Sequence, residues 1–170
     1  MTQIYREENN IYEFDFSTAV WSTDRIHEIY QSNGVKLLSD VDFAVETENE
    51  ILLVEYKNAN IPGAVNPGQF DPANQKMENK IAYKFYDSWI YLRAIEKRKP
   101  IAYVYILEYP NGDVVTRKRV RNQITDLLPF QLQKIPEMKE KMITDFEVLS
   151  IDEWNQHKKY GAFPIRKITK

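Results

Sequence analysis

The run Ile51-Leu52-Leu53-Val54, which continues without a break into Glu55-Tyr56-Lys57, constrains this chain more than any other segment. Consecutive apolar residues of this kind mark a strand buried on both faces, so structure must cover each side of it. Side chains alternate faces along a strand, which sends Glu55 and Lys57 to one side and Val54 and Tyr56 to the other. Charged groups beside so apolar a strand are unfavourable unless they are paired or hold a metal ion. Just upstream, Val41-Asp42-Phe43-Ala44-Val45-Glu46 reads as a second strand, divided from the first by the polar stretch Thr47 to Glu50. A hairpin over that stretch makes the two strands antiparallel and brings Asp42 near Glu55. Two carboxylates that close repel each other, and a hard divalent cation such as Mg²⁺ relieves the repulsion while accepting their oxygens as ligands. Lys57 then lies beside the ion.

At 170 residues the chain fits one domain with a substantial core. Its 43% hydrophobic and 28% charged residues are ordinary for a folded protein rather than a disordered one. No run approaches the roughly 18 apolar residues that span a bilayer, and Met1 to Glu8 lacks a signal-peptide apolar region, so the expectation is no membrane and a cytoplasmic location. The absence of cysteine excludes disulfides and thiolate metal sites. His27 and His157 each lack a second histidine at ligand spacing, which argues against zinc. A net charge of −2 gives no broad basic footprint for nucleic acid, although carboxylate-held metal ions can bridge to phosphates.

Residues 16–31 read as a helix, with Asp15 or Ser17 as N-cap, Asn33-Gly34 as a stop, and Val20, Ile26, Ile29 and Tyr30 facing the sheet. Strands follow at 35–38, 41–47 and 51–58. The Pro-, Gly- and Asn-rich stretch 58–72 is too long for a routine connector and reads as a lid over the site or a surface insertion. Residues 73–97 give the clearest helix, with Met77, Ile81, Phe85, Trp89 and Leu92 as its core face. Lys76, Lys80 and Lys84 form a second stripe there, flanked by Gln75 and Tyr83. Pro100 stops this helix ahead of a buried strand at 101–107. Asn111-Gly112 then turns the chain into the basic run Arg117-Lys118-Arg119-Val120-Arg121, which suits an exposed strand or a helix start and contact with a nucleic-acid backbone. Short helices over 127–142, a strand at 146–150 and a capping box at Ser150-Ile151-Asp152-Glu153 complete the chain.

The order helix, Asp-bearing hairpin, Glu-x-Lys, long helix, strand resembles the PD-(D/E)XK nuclease superfamily over roughly residues 16–107. The proline of the family's name is missing before the Asp: Ser39-Asp40 or Val41-Asp42 stands in its place. The resemblance implies an α/β fold with a central mixed sheet flanked by helices, a restriction-endonuclease-like αβββαβ core, in one domain over 1–170 with a C-terminal extension from about 120. It further implies Mg²⁺ or Mn²⁺ held by Asp42, with Asp40 as the alternative, and by Glu55, with the Tyr56 carbonyl as a further ligand and Lys57 as the catalytic lysine. An acidic residue of the first helix supports the metal in this family. Glu28 matches best here, followed by Asp24. A residue of the long helix points at the site, for which Lys80 or Lys84 fits as a phosphate contact, with the catalytic role expected of Lys80. The implied activity is phosphodiester hydrolysis in nucleic acid, DNA in the first instance, with a homodimer able to bring two sites to opposite strands. The alternative is a binding or assembly module that keeps the fold, no longer cuts, and recognises a protein or nucleic-acid partner.

Overall fold

A computed structural model describes residues 3–64 and 66–169. Its centre is a five-stranded mixed sheet in the order β3-β4-β5-β6-β7, comprising Trp21–Thr23, Phe43–Glu46, Ile51–Asn58, Ile101–Glu108 and Asp145–Leu149. The first three strands are antiparallel neighbours, whereas β6 runs parallel to β5 and β7 parallel to β6. Parallel neighbours need crossover connections, which two helices supply: α2 (Gln75–Ala94) between β5 and β6, and α3 (Val114–Thr125) between β6 and β7. Both helices pack on one face of the sheet with α1 (Ile26–Ser32), burying Ile81, Phe85, Val120 and Ile124 against Ile51, Leu53, Tyr103 and Tyr105.

The other face carries Leu52, Val54, Val104 and Ile106. It is covered by a three-stranded antiparallel sheet, β1-β2-β8 (Ile4–Arg6, Tyr12–Asp15, Ile165–Lys167), together with α4 (Ile151–Gln156). Phe14, Phe16, Trp154, Tyr160 and Ile165 fill that layer. Ile51 to Val54 are therefore fully buried, as an unbroken apolar strand requires.

The long helix begins at Asn74, whose side chain accepts the Lys76 amide (3.0 Å), and β6 follows Pro100 as expected. Elsewhere the structure corrects the sequence. The helix expected over 16–31 is confined to Ile26–Ser32. Phe16 is buried, the Asp15 carboxylate closes a turn on the Ser17 amide (3.1 Å), and Trp21–Thr23 pairs with β4 as a strand. Residues 35–38 form no strand; the sheet edge beside β4 is taken by β3, which precedes α1. Asn111-Gly112 does turn the chain, with Gly112 donating to the Tyr109 carbonyl (3.0 Å), but into α3. The Asp113 carboxylate accepts the Thr116 amide (2.7 Å) and so caps a helix, the second of the two alternatives open for the basic run. On α3 the basic run disperses around the axis: Arg117 pairs with Glu153 and Arg121 with Glu147, leaving Lys118 and Arg119 exposed. Over 127–142 the short helices reduce to one 3₁₀ turn at Leu132–Lys134.

Candidate active site

The hairpin β4–β5 closes through Thr47, whose amide donates to the Glu50 carbonyl (2.8 Å) and whose hydroxyl accepts the Glu50 amide (3.1 Å). Its register runs from Glu46 opposite Ile51 to Phe43 opposite Val54. One further step sets Asp42 opposite Glu55. Ala44 and Leu53 belong to the core beneath α2, so the alternation of the pleat directs Asp42 and Glu55 to the same side.

Glu55 is 6% exposed, and its two oxygens both accept hydrogen bonds from the Lys84 ammonium, each at 2.8 Å. Asp42 accepts the Tyr56 amide through Oδ2 (2.7 Å). Burial, and after it the Asp42 charge, pushes the Glu55 carboxyl up to about 8 against the pull of Lys84. Burial likewise raises the Asp42 carboxyl, with Lys84 opposing it. The Lys84 ammonium, weakened by burial, is nevertheless held above its ordinary range by Glu55 and Asp42. One ammonium thus faces two carboxylates, and the cluster is short of positive charge. Tyr105 of β6 is the register partner of Glu55, and its buried hydroxyl has no hydrogen-bond partner among the described residues.

The remaining site residues expected from the sequence are placed unequally. Lys57 lies on the Glu55 side of β5 but at its exposed end, unpaired among the described residues. With Asp42, Tyr56, Glu8 and Asp24 it lines a cleft of about 290 Å³. Tyr56 sends its ring to the opposite face, against Phe14 and Tyr12. Asp40 is buried with its Oδ1 3.0 Å from His27 Nδ1, burial raising its carboxyl while His27 opposes the shift. One expectation is corrected. Glu28 is turned outward onto Arg25 (2.9 Å), whereas Asp24 reaches the cleft. Lys80 is exposed and makes no ion pair among the described residues; the contact to Glu55 comes from Lys84, one turn later.

The signal for Lys84 lay in the helical period. Ile81, Lys84, Phe85, Ser88 and Leu92 fall at steps of zero, three, four, seven and eleven, so Lys84 sits within the buried stripe and Lys80 at its margin. No sequence pattern singles out Tyr105, whose relation to Glu55 is set by parallel pairing across a crossover.

Among the described residues no group of three or more His, Asp or Glu side chains is gathered at metal-ligating distance, and no helix is long and apolar enough to cross a membrane. No family model matches the chain, and neither a curated protein nor a solved structure does so.

Proposed function

We propose that the chain is a Mg²⁺- or Mn²⁺-dependent nuclease of the PD-(D/E)XK kind, hydrolysing phosphodiester bonds in nucleic acid, with DNA the first substrate to test. One observation carries the reading: Asp42 and Glu55 oppose each other on one face of a hairpin, both carboxyls driven above their ordinary range. Structural ion pairs have no need of a second carboxylate that raises the first. A divalent cation between them fits the donor set, since such ions take carboxylate oxygens and keep positions for water and phosphate. When bound, the ion supplies charge neutralisation and a more acidic water.

The chain's own groups divide the remaining work. Asp42 is fixed by the Tyr56 amide, which orients one oxygen and leaves the other without a hydrogen-bond partner among the described residues. Lys84 opposes the upward shift of the Glu55 carboxyl and holds it in place. Lys57, exposed at the mouth of the cleft, meets the incoming phosphate and stabilises the negative charge that develops on it. Asp24 replaces Glu28 as the supporting acid of this reading.

The test is cleavage of plasmid and single-stranded DNA with Mg²⁺ or Mn²⁺. Asp42→Ala and Glu55→Ala abolish cleavage, and Lys57→Ala preserves ion binding while lowering kcat by at least about a hundredfold, as loss of a transition-state contact does. Absence of cleavage with either ion from folded protein overturns the reading.

A second reading is a binding or assembly module that retains this architecture without cutting. It draws on the two 2.8 Å contacts of Lys84, an internal cation already seated on Glu55. Calorimetric titration with Mn²⁺ separates the two: heat that disappears in Asp42→Ala favours the nuclease, and no heat from the folded wild type favours the module.

A further inference from the structure

We propose that the groove between residues 37–39 and the outer face of α2 binds a single strand of nucleic acid and leads it toward Glu55, with Lys76 and Lys80 on its phosphates and Tyr83 beneath a base. The proposal rests on the nuclease reading for what the strand is doing there, but its binding chemistry stands separately.

The groove is about 720 Å³ and is lined by Leu37, Ser39, Lys76, Asn79, Tyr83 and Asp87, with Gln75 and Lys80 completing it. Around the start of α2 it adjoins a second hollow of about 400 Å³ that shares Lys76 and Lys80 and adds Phe70 and Met77. Lys76 and Lys80 are exposed and make no ion pair among the described residues. Each hollow also has one carboxylate, and both are already engaged by backbone: Asp87 accepts the Ser39 amide (2.7 Å) and Asp71 the Ala73 amide (3.0 Å). The groove itself therefore holds two lysines to one acid, and the lysines are its free partners for an anion. Four residues apart on a helix, they are separated by about 6 Å along its axis, comparable with the step between successive phosphates of an extended strand.

Unpaired bases are selected by the apolar lining. Tyr83 is 63% exposed and Leu37 97% exposed, although each is large enough to be buried profitably elsewhere. An exposed aromatic ring between lysines is what base stacking beside a phosphate track requires, and a stacked base must first be out of a duplex. The chain offers no broad basic face to a double helix: its net charge is −2 and the basic run of α3 is dispersed around the helix, with Arg117 and Arg121 paired to Glu153 and Glu147. Continuity supplies direction, because Lys80 lies one turn before Lys84, which holds Glu55.

Binding is measured without divalent ions, by fluorescence anisotropy of a labelled oligothymidine and of a blunt duplex of equal length, titrated with the full chain across a range of salt. The wild type binds the single strand more tightly than the duplex. Tyr83→Ala weakens single-strand binding by about tenfold, and Lys76→Ala with Lys80→Ala lowers the salt slope by roughly 1.4, two single-strand phosphate contacts. All three positions are exposed, so circular dichroism and the melting temperature should match the wild type. Lys118→Ala on α3 is the control and leaves binding unchanged. Equal or tighter duplex binding, no single-strand binding, or indifference to both sets of substitutions overturns the groove. If single-strand binding follows these substitutions but no ion supports cleavage, the groove stands and the nuclease reading falls. If cleavage occurs while binding ignores them, the reverse holds.

Discussion

At the scale of residues, Lys84 offsets a buried carboxylate that the fold would otherwise leave uncompensated. Glu55 carries a folded-state pKa raised to about 8, well above the roughly 4.3 of a free glutamate. The folded chain therefore holds that proton more tightly than the unfolded chain, a contribution present below the free value and lost as pH rises through about 8. Removing Lys84 removes an opposing influence and drives the carboxyl higher still. Lys84→Ala should consequently cost little at pH 5, where Glu55 is protonated in either variant, and on the order of 1 kcal/mol more at pH 9, where the wild-type carboxylate is ionised beside Lys84 and the variant must keep its proton. Urea unfolding at the two pH values measures it, and a loss independent of pH would show that the pair is not electrostatically coupled. Asp42 gives the complementary case. Its carboxyl is also raised, so its ionisation opposes folding at neutral pH and ceases to do so in acid. Asn can still accept the Tyr56 amide, so Asp42→Asn should be more stable than the wild type at pH 8 by on the order of 1 kcal/mol, the gain disappearing as the pH falls. Added Mg²⁺ should raise the melting temperature of the wild type and leave that of the variant unchanged.

At the scale of elements, what could be read from the sequence depended on whether local signals or distant partners set the outcome. β5, α2 and β6 were legible because an unbroken apolar run, a sustained helical period and a preceding proline each act within the segment itself. β3 was not, since Trp21–Thr23 is too short to declare itself and becomes a strand only by pairing with β4. α3 was ambiguous for a different reason: Asn111-Gly112 favours a hairpin, and the Asp113 cap on Thr116 decides for a helix. In the site, the opposition of Asp42 and Glu55 followed from the period-two alternation of a hairpin, whereas the choice between Lys80 and Lys84 needed the rotation of α2 against the sheet. The capping box of α4 shows the local kind of signal at its strongest. Ser150 accepts the Glu153 amide (3.1 Å) and Glu153 accepts the Ser150 amide (2.8 Å). Glu153 also takes the Nε of Arg117 (2.9 Å), tying α4 to α3. Ser150→Ala should therefore cost about 1 kcal/mol, the loss of one cap. Glu153→Ala should cost more, because it also leaves Arg117, only 7% exposed, without its carboxylate. Thermal unfolding of the two variants gives the order, and equal losses would mean that the Arg117 contact contributes nothing.

At the scale of the whole molecule, the site depends on a layer to which neither carboxylate of its pair belongs. β5 is buried on both faces, and the side away from Asp42 and Glu55 is closed by segments from the two ends of the described chain, with β2 pairing to β8. Tyr160, Phe163 and Ile165 are buried there against Trp154 and the back of the central sheet. Each such side chain is worth about 1.5–3 kcal/mol on burial, in molecules whose net stability is only about 5–15 kcal/mol. Ending the chain after Gln156 removes all three, strips β2 of its partner and uncovers Trp154, while leaving Asp42, Glu55, Lys57 and Lys84 in the sequence. The shortened chain should lose its cooperative thermal transition and, with it, any Mn²⁺ binding by calorimetry, although no proposed ligand has been removed. Retention of a wild-type melting temperature would make the stretch from 157 onward a dispensable extension and the central sheet self-sufficient. Loss of the transition together with ion binding would instead show that the carboxylate pair is positioned by the packing behind β5 as much as by the helix in front of it.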